Sequence, residues 1–209
     1  MPRSRRISLI APSELFTILL LASAVSSFTQ IIDFRSNGLN YQALTRGGLT
    51  MMYARMPLSV RDYGVIQLAL SNGSKRIWKI NTADLVYEPE GGSPPIRASK
   101  EGEVIYDLYR HAGRNEVIKL QEAYEKALFG NQEIRSNNGY EQRRLAAIAF
   151  GPKGIKAAAA ASAIAFVSGE LESGDSTDGA VFFENAGQEL PLGRLVAVVN
   201  GHVFEFHTR

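Results

Sequence analysis

The dipeptide Asn200-Gly201, near the end of the chain, constrains the fold more than any other feature. It separates two β-favouring segments, RLVAVV at 194–199 and HVFEFH at 202–207. Asn and Gly both accept the positive φ of a type I′ turn, whose twist matches that of two antiparallel strands. Apolar residues alternate along the segments, as expected for strands with one buried face. We therefore predict a β-hairpin over residues 195–206.

A second β-favouring region covers residues 39–95. Its clearest element is YGVIQLAL at 63–70, an almost continuous apolar run of strand length. LTMMYARM at 49–56 precedes this run, and two shorter runs, KRIWKI and DLVYE, follow it. Between them, Asn72 begins a formal glycosylation sequon, but Ser-Asn-Gly-Ser has the composition of a turn between strands. We predict a turn there.

Residues 99–167 change from strand alternation to helical spacing. Apolar residues recur three or four positions apart, and residues that cap helices, such as Ser99, stand at the starts. The last stretch is rich in alanine, the strongest helix former, and Gly169 follows it as a stop signal. We predict a helical block, with helices near 99–111, 115–130, 138–151 and 154–169.

The segment SGELESGDSTDGAVFFE at 168–184 is acidic and glycine-rich, which suggests a metal loop or a catalytic cluster at first sight. A calcium loop of the EF-hand type needs oxygen ligands at a regular spacing, which Asp175 and Asp178 do not match. The order of residues instead indicates a short strand ending at Leu171, a turn, and a strand at 180–184. We predict neither a metal site nor a cofactor.

These β segments resemble small secreted bacterial domains of the immunoglobulin-like β-sandwich type. The resemblance is carried by YGVIQLALSNGS at 63–74 and by the Ser-Gly…Gly-x-Val-x-Phe pattern within 168–184. It implies an α+β chain in which residues of about 39–95 and 168–209 form one antiparallel sandwich. The helical block, at about 99–167, is then an insertion between the two halves. The resemblance also implies a non-catalytic module with no family active site.

The N-terminus has the layout of a secretory signal peptide. MPRSRR is basic, LFTILLLASAV at 15–25 is apolar, and small residues follow. We predict cleavage after Ala24 or Ser27, so that residues 1–27 are a signal peptide, or an N-terminal anchor if they are retained, and 28–209 form one domain. The protein is then exported, to the periplasm, the cell surface or the medium.

The amino-acid composition limits the classes of binding partner and of chemistry that we expect. Past residue 24 the chain holds 20 basic and 20 acidic side chains, a balance that gives no support for a nucleic-acid partner. The absence of cysteine rules out disulfides and thiolate chemistry, and in an exported domain it favours a bacterial envelope. No catalytic motif is present, and we predict no catalytic or metal-binding residue.

Three aromatic residues of the first β region are the only binding candidates. Trp78, Tyr53 and Tyr87 either form a ligand-stacking face or belong to the core of a small β domain. Among the histidines, His202 and His207 are five residues apart in one strand and so point to opposite faces. Neither pattern identifies a reaction.

Three functions follow as hypotheses. The first is a non-enzymatic exported module that binds a cell-envelope protein or a polysaccharide. The second is a cell-wall or carbohydrate hydrolase that uses paired carboxylates, which a fold brings together without a sequence motif. The third is a membrane-associated envelope component, in which the mostly apolar segment 145–167 makes peripheral contact with the membrane.

Overall fold

The computed structural model describes residues 30–36, 38–111 and 164–207. Within these ranges the chain forms eleven strands and one α-helix, with a short 3-10 turn at Thr82–Asp84. In chain order the elements are β1 (Ile32–Ser36), β2 (Leu39–Arg46), β3 (Leu49–Val60), β4 (Tyr63–Asn72), β5 (Trp78–Ile80), β6 (Leu85–Pro89), β7 (Ile96–Arg97), α1 (Glu101–His111), β8 (Gly169–Leu171), β9 (Ser176–Glu184), β10 (Gly193–Val199) and β11 (His202–His207).

The strands form open antiparallel sheets that pack as a β-sandwich. The first sheet has the order β1-β2-β3-β4-β9, the second has the order β11-β10-β6-β7, and β5 pairs with β8 in a small third sheet. Each larger sheet combines strands from both β regions of the sequence, because β4 pairs with β9 and β6 pairs with β10. The predicted joining of the two regions into one β structure is confirmed.

The main core lies between the two larger sheets, and the third sheet adds Trp78, Ile80 and Leu171 to it. Side chains that alternate along β3 and β4 point into this core, as the period of a strand requires. Burial of one large apolar side chain contributes about 1.5–3 kcal/mol, so this layer stabilises the fold strongly. Its largest members are Trp78, Tyr53, Tyr87, Phe166, Phe183, Phe204 and Phe206.

The final hairpin forms as predicted. Asn200 and Gly201 have φ values of 47° and 79°, and the flanking residues Val199 and His202 are paired. The side chain of Asn200 also fixes the neighbouring loop, because its Nδ2 donates to the carbonyl oxygen of Ile77 at 3.1 Å. The turn therefore joins two strands and anchors a third segment.

The sandwich begins earlier than the sequence patterns indicate. β1 starts at Ile32, whereas the predicted β region starts at about residue 39. In the sequence β2 is preceded by Asn37-Gly38, the same dipeptide that identified the final hairpin. Gly38 has a φ of 82°, and Ser36 pairs with Leu39. This signal was present in the sequence and was missed, because β1 itself is short and polar.

The predicted alanine-rich helix does not continue to Gly169. Ala165 forms a parallel bridge with Ala180 of β9, and the Phe166 N–H donates to the Ala180 carbonyl oxygen at 2.9 Å. Pairing with the edge of a sheet has overridden the helix propensity of alanine, a weak preference per residue. Gly179 permits this crossing, since a Cβ there would lie 2.4 Å from the Cα of Phe166.

Only the start of the predicted helical block lies within the described residues. α1 begins at Glu101, and Ser99 extends the sheet instead of capping the helix, with its N–H donating to the carbonyl oxygen of Phe182 at 2.8 Å. Val104 and Leu108 of α1 are fully buried in a cluster on the outer face of the first sheet. The helices predicted at 115–130 and 138–151, and most of 154–169, lie outside the described residues.

Candidate functional site

A groove of about 430 Å³ lies where the second larger sheet ends and the first continues beyond it; we call this place the sheet step. The first sheet has five strands and the second has four, and β11, at the edge of the second, lies against β2. The first sheet therefore extends past the second by the width of β1. The groove occupies this step, and His207 of β11 lines it together with residues of β1, β2 and β3.

The strand register explains why several polar side chains meet on the floor of the groove. Asp33, Gln42 and Tyr53 are paired in a row across β1, β2 and β3, so they point to the same face of the sheet. Asn40 and Arg55 are two residues away from members of this row and share its face. Further along the same face the residues are apolar and enter the core. Polar side chains thus replace apolar ones where the second sheet ends.

Several of these polar side chains are held by hydrogen bonds. The Gln42 Nε2 donates to the Asp33 Oδ1 at 2.7 Å, which fixes the orientation of the amide because an ionised carboxylate only accepts. The Gln42 Oε1 is then buried without a hydrogen-bond partner among the described residues. Arg55 donates to the carbonyl oxygen of Leu190 at 2.5 Å, which holds its guanidinium beside the groove.

The three aromatic candidates are all buried in the main core. Trp78 and Tyr87 are 0% exposed and Tyr53 is 1% exposed, so their rings contact other core side chains. Only Tyr53 also borders the groove, where it packs against Phe206 at a ring-centroid distance of 5.6 Å. The structure therefore does not bring the three rings together on an open face. Asp33, Asn40, Gln42 and Arg55 were not predicted as site residues.

The Trp78 indole forms part of a polar network at the other end of β4. Its Nε1 donates to the Ser74 Oγ at 2.9 Å, and that hydroxyl donates to the Asn72 Oδ1 at 2.7 Å. Asn72 is fully buried, and the segment that follows it is a turn, as predicted for the sequon. Its amide has a structural role, because it also bonds to the carbonyl oxygens of Leu171 and Glu172.

The acidic segment leads into a strand, as the sequence indicated. Leu171 ends β8, Gly174 lies in the turn, and Asp178 lies within β9 with 1% of its surface exposed. Glu170 forms an ion pair of 3.0 Å with Lys79 on the adjacent strand. Within residues 30–36, 38–111 and 164–207, no group of three or more histidine or acidic side chains is placed to hold a metal ion.

A second polar cluster is buried on the outer face of the first sheet. The Tyr41 hydroxyl donates to the Gln67 Oε1, and both side chains are at most 2% exposed. Burial, followed by the negative charge of Asp178, raises the pKa of Tyr41 to about 12. This cluster keeps the phenol protonated and belongs to the interior of the protein.

The histidines lie apart. His202 packs against the Trp78 ring at a centroid distance of 5.2 Å, while His207 is exposed on the opposite face of β11. His111, the last residue of α1, has its Nδ1 3.0 Å from the Asp107 Oδ1 one turn earlier. These positions agree with the prediction that His202 and His207 do not share a site.

Comparisons with known proteins do not assign the chain to a family. No family model matches the chain, no curated protein is significantly similar in sequence, and no solved structure is significantly similar in fold. In the part of the chain that the structure describes, no helix has the length and apolar character needed to cross a membrane.

Proposed function

We propose that the protein is an exported, non-enzymatic β-sandwich module that binds a polysaccharide of the cell envelope in the groove at the sheet step. The proposal depends on a row of polar side chains in the first sheet. They lie on the face of β1, β2 and β3 whose buried apolar residues pack into the main core. Asp33, Asn40, Gln42 and Arg55 supply carboxylate, amide and guanidinium groups within one open groove. Export is supported by the basic, apolar and small-residue order of residues 1–27.

The chemistry of the groove favours a ligand rich in hydroxyl groups. A hydroxyl both donates and accepts hydrogen bonds, so neighbouring sugar hydroxyls match carboxylate and amide acceptors as well as guanidinium donors. Binding sites of this kind are typically 300–1,000 Å³ in volume and place a few polar groups that fix the ligand's orientation. The exposed amide of Asn40 and the charges of Asp33 and Arg55 supply such groups here.

The test is co-sedimentation of the protein with purified, insoluble bacterial cell-wall polysaccharide. Asn40→Ala removes an exposed amide from the groove, and we expect binding to weaken about tenfold, the effect of losing about 1.4 kcal/mol of interaction. Thr45→Ala is the control, since Thr45 is exposed on the same strand but faces the other side of the sheet. Equal binding by both variants, or binding only to envelope proteins, would contradict the proposal.

The same experiment separates binding from hydrolysis. We expect the polysaccharide to be recovered unchanged in length after prolonged incubation with the protein. The release of soluble sugar fragments would support the alternative of a carbohydrate hydrolase that uses paired carboxylates.

The resemblance of the chain to immunoglobulin-like β-sandwich domains stays a prediction. In an immunoglobulin domain the sheets follow the strand orders A-B-E-D and C-F-G. Here the first sheet starts with four consecutive strands, and β9 follows them. An experimental structure of the protein over residues 28–209 would test the relationship.

A further inference from the structure

We propose that the protein forms a homodimer in which the β1 strands of two copies pair antiparallel at the edge of the first sheet. This proposal concerns the partner of β1 and does not depend on which ligand enters the groove. It follows from the exposure of β1, from the order of charges along it, and from its position beside the groove.

Among the strands that the structure describes, β1 is an edge of the first sheet with no neighbour on its outer side. Within the described residues it pairs only with β2, and its first residue, Ile32, is 60% exposed. The opposite edge, β9, is covered in two places, because Ala98 bridges to Phe183 and Ala165 bridges to Ala180. An uncovered edge presents unpaired N–H and C=O groups, which are a template for another strand.

The charges on β1 are complementary to those of a second copy. Asp33 and Arg35 are both exposed and, being two residues apart, lie on the same face of the sheet. An antiparallel pair with its two-fold axis at Phe34 places Asp33 of each copy directly opposite Arg35 of the other. Opposite charges at directly paired positions stabilise an antiparallel pair, whereas like charges destabilise it. The register centred on Phe34 is therefore the favoured one.

This symmetry also completes the groove. The two-fold axis of an antiparallel strand pair within one sheet is perpendicular to the sheet, so the second sheets of both copies lie on the same side. Each groove is bounded by β11 at one side and is open at β1 on the other. In the dimer the two grooves join into one trough, with β11 of each copy as a wall and both Asp33 residues on its floor.

Analytical ultracentrifugation of the full chain tests the proposal. A five-residue strand pair is a small interface, so we expect a reversible dimer that forms between about 10 µM and about 1 mM. Asp33→Arg and Arg35→Asp each create like-charge pairs, and each variant alone should associate at least about tenfold more weakly. An equimolar mixture of the two variants should dimerise again, because every charge in the mixed pair meets its opposite.

The control is Glu90→Arg, a charge reversal at an exposed residue away from β1, which should dimerise like the unchanged protein. A monomer at all concentrations, or single variants that dimerise as strongly as the control, would overturn the proposal. So would a mixture that stays monomeric while both variants remain folded by circular dichroism.

Cross-linking provides a measurement that does not depend on the charge variants. The natural chain has no cysteine, so Phe34→Cys introduces a single thiol at the predicted two-fold axis. Directly opposed residues of an antiparallel pair have Cβ atoms close enough for a disulfide to form with little movement. We expect rapid oxidation to a covalent dimer, whereas Val203→Cys, exposed on β11, should oxidise slowly. Equal rates for the two variants would contradict pairing through β1.

Discussion

The side-chain amide of Asn72, at the end of β4, donates a hydrogen bond of 3.0 Å to the carbonyl oxygen of Leu171, which lies 99 residues further along the chain. The same Nδ2 also donates to the carbonyl oxygens of Arg76 and Glu172, and the Oδ1 accepts from the Ser74 N–H and hydroxyl. One buried side chain thus connects the turn after β4 to the turn after β8. It links the two β regions on either side of the segment 99–167.

We predict that Asn72→Ala lowers the free energy of unfolding by about 3 kcal/mol, because each buried group left without a partner costs about 1–3 kcal/mol. Urea denaturation followed by circular dichroism measures the change. Asn185→Ala is the control, since Asn185 bonds to the carbonyl oxygens of Gln188 and Glu189 within one exposed turn. It should lose less than about 1 kcal/mol. Equal losses would show that Asn72 does not link the two regions.

A valine at the final turn should destabilise the hairpin through its backbone alone. A Cβ at Gly201 meets no atom within 4 Å, but the residue has a φ of 79°. We expect Gly201→Val to lower the free energy of unfolding by about 1–2 kcal/mol. Gly169→Val, equally unobstructed and without positive φ, is the comparison and should change stability much less. An unchanged melting temperature for Gly201→Val would contradict the turn.

Stability should fall in alkaline solution because of Tyr41. The pKa of its phenol is about 12 in the folded protein, against about 10 in an unfolded chain, so the folded state favours the protonated form. The stability that this difference provides is present below pH 10 and is lost as the pH rises from about 10 to about 12.

We expect the free energy of unfolding to decrease more steeply over this interval in the unchanged protein than in Tyr41→Phe. Urea denaturation at several pH values provides the measurement. Tyr106→Phe is the control, because the Tyr106 side chain is 60% exposed, and it should keep the slope of the unchanged protein. The same slope in Tyr41→Phe would mean that ionisation of this phenol is not coupled to folding.

The two β regions should not fold separately. β4 is paired along its length with β9, and β6 with β10. Expressed alone, the first region lacks β9 and half of the second sheet, and the last region keeps one strand of the first sheet and two of the second. We expect fragments 28–95 and 165–209 to be unfolded individually and to gain β structure when they are mixed, as measured by far-ultraviolet circular dichroism. A sharp thermal transition in either isolated fragment would contradict this expectation.

The sequence predicted most of the strands because their signals are local. Asn200-Gly201 specifies its turn through φ alone, and the apolar run at 63–70 is long enough to be recognised without its neighbours. The end of the alanine-rich segment was predicted wrongly, since the bridge from Ala165 to Ala180 depends on a strand that is distant in sequence. Local propensity carries no information about such a contact.

The groove could not be predicted from the sequence, for a related reason. Asn40 and Gln42 alternate with Tyr41 and Ala43, so the pattern of β2 reads as an ordinary strand with one polar face. Their importance depends on which face meets the second sheet and on where that sheet ends. Both facts follow from the pairing of β1, β2 and β3 and from the position of β11, which are properties of the tertiary fold.

The most direct test of the proposed function is a nuclear magnetic resonance titration of the isotope-labelled protein with soluble fragments of bacterial cell-wall polysaccharide. We predict that the side-chain amide signals of Asn40 and Gln42 and the backbone amide of Tyr53 shift in a saturable way. The exposed valines Val198 and Val203, on the outer face of the second sheet, should remain unchanged. Shifts centred on those valines, or no shifts at millimolar fragment concentration, would contradict the assignment of the groove as the binding site.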